Sequence, residues 1–178
     1  MIEDPLTSAA VIFFLLVLSA FFSGSETAVT AASEGRLHQL SKNGNRSAGI
    51  ILALREKKER LIGAILLGNN LVNILASVLA TGIFLRYFGD AAIAYVTLVM
   101  TLLILVFAEV LPKTYAFSHA DRTALAVAPV VKPIVIILAP VTHAIYLFVR
   151  TTLRPIGIEL GSELGGSLHE EELRGVID

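Results

Sequence analysis

Long apolar runs set the pattern of this chain. Residues 6–22, 61–85, 91–111 and 124–149 are four stretches with few charges. A bilayer core about 30 Å thick is crossed by about 20 helical residues, so each run is long enough to cross it. Backbone amides in hydrocarbon find no water to bond, which makes helix the predicted state of each. The chain is 55% hydrophobic over 178 residues, above the about 45–50% of soluble domains, and its mean hydropathy is +0.76. These observations predict an all-α integral membrane protein. The first run does not read as a secretory signal, which needs a basic start and a small-residue cleavage site. Here the chain opens Met1-Ile2-Glu3-Asp4-Pro5.

Charge sets the expected orientation, because loops rich in Lys and Arg stay cytoplasmic. The segment between the first two runs carries Arg36, Lys42, Arg46, Arg55, Lys57, Lys58 and Arg60, whereas the turn after the second run holds Arg86 alone. Lys113 and Arg122 follow the third. The bias predicts an N-terminus outside, the 34–60 loop inside, and a third helix returning to the cytoplasm. The fourth run contains Pro129, Pro133 and Pro140, with Lys132 in its apolar middle. Proline removes a backbone donor and kinks a helix, and a mid-membrane lysine costs at least about 3 kcal/mol. A full crossing would also export Arg150, Arg154 and Arg174. The expected architecture is therefore three transmembrane helices plus a proline-broken juxtamembrane helical belt over 124–149, with a fourth span as the alternative. Residues 1–150 form the expected transmembrane domain with its juxtamembrane helices. Residues 151–178, with Gly157, Gly161, Gly165 and Gly166 before the charged His169–Arg174 segment, read as a linker towards a missing cytoplasmic regulatory domain.

Composition then removes several kinds of chemistry. There is no cysteine, hence no disulfide and no soft thiolate metal site. A net charge of −1 gives nucleic-acid binding no electrostatic support. His38, His119, His143 and His169 are scattered without ligand spacing, and no Ser/His pair, paired Asp or zinc motif suggests an intramembrane protease. No enzyme activity is expected.

Polar residues interrupt each of the first three runs. The first closes on Ser23-Gly24-Ser25-Glu26-Thr27, where Gly24 is predicted to let the backbone leave helical geometry and free carbonyl ligands. The second contains Asn69, Asn70, Asn73 and Ser77; 69, 73 and 77 share one helical face. Such residues also glue helices together, but three amides in five residues exceed what packing asks. The third carries Glu109, and a carboxylate in a spanning helix is a functional candidate by default. Its structural alternative is an ion pair with Lys113 one turn on. Pro112 removes a hydrogen bond beside it and offers a hinge. The donors are hydroxyls, amides and one carboxylate, which suit Mg²⁺ or Ca²⁺; Na⁺ accepts much the same set. The small-residue run Ala76–Gly82 is a candidate strip for packing between subunits.

Three segments, Phe22–Ala28, Leu67–Asn73 and Ala108–Thr114, resemble in order and spacing the transmembrane domain of the CorC / cyclin M (CNNM) magnesium transporters. The resemblance covers roughly residues 5–150. It implies a homodimer in the plasma membrane, Mg²⁺ export driven by Na⁺ entry, and a cytoplasmic CBS pair that binds ATP and is absent from this chain. Carried over by residue, it implies an ion site of Ser23, a backbone oxygen near Gly24, Asn69, Asn73 and Glu109. Ser25, Glu26, Asn70, Pro112 and Lys113 stand as secondary or gating candidates. The rival reading is a Mg²⁺-sensing membrane scaffold that regulates partners and transports nothing.

Overall fold

The computed structural model describes residues 5–89 and 92–153, all of it helix and turn with no strand among the described residues. Helix α1 (Pro5–Ala31) is followed by two short helices, α2 (Glu34–Lys42) and α3 (Arg46–Arg55), and then by the long α4 (Lys58–Phe88). Next come α5 (Ala92–Leu103), a π-helical segment (Ile104–Val110) and α6 (Leu111–Ser118), in unbroken succession, and finally α7 (Ala120–Leu153). Four helical stretches, Pro5–Ala31, Lys58–Phe88, Ile93–Ser118 and Ala120–Val149, are long and apolar enough to cross a membrane. Their outer faces carry Phe13, Phe14, Leu71, Ile74, Val78, Leu98 and Leu102, all exposed, as lipid-facing helices require. The chain divides into two compact units, Met1–Ala139 and Pro140–Asp178. The described part of the second is the end of α7, and the predicted linker from residue 154 onwards lies outside the described residues.

In the first unit α1 is the central helix, packed against α4, the π-helical segment and α6. Phe22 drives this packing. It is buried beside Gly68 of α4, where an added Cβ would fall 2.7 Å from the ring. Further along, Ala76 and Ala80 of α4 are buried against Val96 and Met100 of α5. Two members of the small-residue strip thus pack inside one chain, while Val78 and Gly82 are exposed.

The basic loop is folded. Gly44, at φ +86°, turns the chain between α2 and α3, and the Asn45 side chain caps α3 by accepting from the Ala48 amide at 3.1 Å. Arg55 reaches the open end of α1. Its guanidinium donates to the carbonyls of Val29, Thr30 and Ala32 at 2.7, 3.2 and 2.6 Å, satisfying acceptors that a helix end leaves free. Asp121, in the first turn of α7, accepts from the Ser33 amide at 2.8 Å and pairs with Arg36 at 3.3 Å. Ala124, Ala128 and Val131 of α7 are buried in one cluster with Leu37 of α2 and Ala48 and Ile51 of α3.

Two expectations are corrected. The prolines do not break the fourth run: α7 is one helix through Pro129, Pro133 and Pro140. Each proline leaves one carbonyl without its usual donor, a local loss that the packing of Ala124, Ala128 and Val131 into the cluster with α2 and α3 offsets. Nor does Gly24 interrupt α1, which continues to Ala31 with no positive φ in it.

Candidate cation site

Two serines one turn apart on α1 organise the polar interior. Ser19 and Ser23 are both fully buried and, by helix geometry, about 6 Å apart along the axis. Ser19 Oγ donates to Asn69 Oδ1 of α4 at 2.7 Å. Ser23 Oγ reaches the Glu109 backbone carbonyl at 3.5 Å. A single turn of α1 therefore touches both the amide motif of α4 and the π-helical segment that carries the carboxylate.

The π-helical segment has a local cause. Pro112 lacks an N–H, and its ring collides with the carbonyl four residues back. Widening the turn moves that carbonyl away, and the Leu111 amide accordingly donates to Val106 O, five residues earlier. Such insertions concentrate at functional sites because they re-aim side chains and loosen backbone acceptors. Gly24 faces this region at ordinary contact distance. A Cβ placed on it would lie 3.5 Å from the Pro112 carbonyl oxygen and 3.6 Å from Pro112 Cβ.

Glu109 is half-buried and has no ion-pair partner among the described residues. Lys113, its sequence-level alternative, pairs instead with Glu26 at 3.7 Å. Glu109 lines a cavity of about 340 Å³ together with Ser77 and Thr81 of α4 and Thr97 and Thr101 of α5. Thr81 and Thr97 donate their hydroxyl protons to Ser77 O and Ile93 O, at 2.8 and 2.7 Å. Their remaining lone pairs add acceptors to a wall that also carries Val96, Met100, Ile104 and Leu105.

Two buried oxygens lack partners among the described residues: Asn73 Oδ1 and Ser25 Oγ. Asn70 is exposed and does not join the group. No cluster of three or more His, Cys, Asp or Glu occurs among the described residues. The Glu109 carboxylate shares its cavity with Ser77, Thr81, Thr97 and Thr101, whereas Ser23, Asn69 and Asn73 lie outside that lining and meet it only through the Ser23 contact with the Glu109 backbone carbonyl. Carboxylate and hydroxyl oxygens are hard donors of the kind that suit Mg²⁺ or Na⁺. The sequence reading missed Ser19, Thr81, Thr97 and Thr101. Their signal was spacing: Ser19 stands four residues before Ser23, Thr81 continues the 69, 73, 77 series, and Thr97 precedes Thr101 by four.

Comparison with known proteins places the chain in a family. The family described as the cyclin M transmembrane N-terminal domain matches residues 10–178. The chain is 42% identical over 160 residues to the UPF0053 inner membrane protein YfjD of Escherichia coli, covering 90% of this chain and 37% of that protein. It is 37% identical over 174 residues to a UPF0053 protein of Haemophilus influenzae, covering 97% and 41%. A chloroplastic DUF21 domain-containing protein of Arabidopsis thaliana is 32% identical over 174 residues, covering 89% and 26%. The chain spans about two fifths of the length of the two bacterial relatives. With that match running over nearly its whole length, the chain belongs to the cyclin M transmembrane domain family.

Proposed function

We propose that this domain transports Mg²⁺ across the plasma membrane, exporting it in exchange for Na⁺, and is not an enzyme. The observation that carries the reading is the Glu109 carboxylate, set in a membrane-spanning helix beside a hydroxyl-lined cavity while Lys113 is engaged by Glu26. An ionised group in that setting needs a positive partner, and a mobile cation supplies one. Ser23, a backbone oxygen of the Gly24 turn, Asn69 and Asn73 complete the ligand set. Carbonyls that already accept one helical bond keep a second lone pair for this purpose.

One carboxylate among neutral oxygens binds a divalent ion without trapping it, as transport demands. Release to the other side follows from movement of α1 against α6, with the π-helical segment as the element that yields. On the positive-inside bias, the N-terminus is outside and the basic loop cytoplasmic. The first half of α7 buries its alanines against α2 and α3 of that loop, which supports a juxtamembrane belt below three crossing helices. The E. coli relative is named an inner membrane protein, in keeping with the plasma membrane. A homodimer, and ATP control through a cytoplasmic CBS domain, belong to the same proposal.

Calorimetry of Mg²⁺ binding to Glu109→Gln and Glu109→Ala tests the site. Affinity is expected to fall roughly tenfold or more in both, since a charge-assisted contact is lost; unchanged affinity in both removes Glu109 from it. Mg²⁺-dye flux in liposomes separates transport from a sensing scaffold, which binds the ion and moves none.

A further inference from the structure

Lys132 stands in an apolar run where nothing in ion binding uses it, and the structure gives it company. It lines a cavity of about 730 Å³ with Arg46 of α3, Lys57 before α4 and Arg60 in the first turn of α4. None of these four cations has an ion-pair or hydrogen-bond partner among the described residues, and no acidic residue lines the cavity. The first turn of α3 also faces it through Asn45, Arg46 and Gly49, adding the positive end of a helix dipole. Beneath the charges the walls are apolar, with Ile50, Val135 and Ile136.

We propose that this cavity binds the headgroup of an anionic phospholipid. Four converging cations left unpaired repel one another and call for a counter-charge. A bare phosphate displaces only a few waters, at about 30 Å³ each, and would leave most of the 730 Å³ and the apolar wall unused. A phosphodiester carrying glycerol and the first acyl carbons uses both. The place fits as well: Arg60 marks where α4 leaves the basic loop and enters its apolar course, the level at which anionic lipid phosphates lie. Basic pockets between helices on this side of a membrane recognise such headgroups. The proposal does not depend on transport.

The test uses the chain in a neutral detergent, with lipid retention read by native mass spectrometry and unfolding by temperature. Phosphatidylglycerol is expected to be retained and to raise Tm, whereas phosphatidylcholine and inorganic phosphate do neither. Lys132→Gln and Arg46→Gln should each weaken phosphatidylglycerol binding about fivefold. The lipid-free Tm of these variants should hold or rise, because one of four mutually repelling charges is gone. Lys42→Gln, a loop cation outside the cavity, should bind as the unmodified chain does. Equal retention of phosphatidylcholine, equal stabilisation by phosphate, or an equal loss in Lys42→Gln would overturn the proposal.

Discussion

A buried acceptor without a donor costs about 1–3 kcal/mol, and Asn73 Oδ1 is such an atom. If its role is to face a cation, stability and affinity must respond to its removal with opposite signs. Asn73→Leu is expected to raise the ion-free Tm and to abolish the further rise that Mg²⁺ gives. Asn73 acting only as helix glue would give the reverse, a lower Tm and an undiminished Mg²⁺ increment. Asn69 differs, because its amide oxygen already accepts from Ser19 at 2.7 Å. Asn69→Leu strands that buried hydroxyl and should lower Tm with or without the ion.

At the scale of elements, Gly68 of α4 and Gly24 of α1 differ in what an added methyl would meet. Gly68→Ala would push a methyl to 2.7 Å from the Phe22 ring, so the ring would have to turn aside or α1 and α4 to separate. Overpacking of this kind costs about 1–3 kcal/mol, and Phe22→Leu in the same chain should recover most of it. Gly24→Ala meets its neighbours at 3.5 Å or more, and denaturation is expected to find it close to the unmodified stability. The sequence foretold α4 well, since the 61–85 run is the heart of Lys58–Phe88, whereas 124–149, expected as broken helices, runs unbroken inside Ala120–Leu153. It misplaced the end of α1, because Ser23, Gly24 and Glu26 look like a terminus until Glu109, Pro112 and Lys113 are seen against them. The π-helical segment was invisible for a different reason. Pro112 announces a defect, yet whether the turn kinks, breaks or widens depends on neighbours distant in sequence. The carboxylate and the amides were legible as oddities of composition; that Ser19 meets Asn69 while Ser23, one turn on, meets the Glu109 backbone carbonyl was not.

For the molecule as a whole, the absence of cysteine makes every introduced thiol a clean probe of sidedness. Lys42→Cys in the basic loop and Arg86→Cys beyond α4 are both at exposed positions. A membrane-impermeant thiol reagent should label them from opposite faces of oriented vesicles. Thr151→Cys, near the end of α7, decides the number of crossings. A belt puts it on the side of Lys42→Cys, and a fourth span puts it with Arg86→Cys.

Arg55 grips three carbonyls at the end of α1 from the last turn of α3. That grip makes the two helices a lever with its handle at the membrane surface. If α1 tilts as the proposed transport requires, α3 must swing with it or the clasp must tear. Loading of the interior would then be broadcast to the surface, where a soluble module could feel it without ever touching the metal.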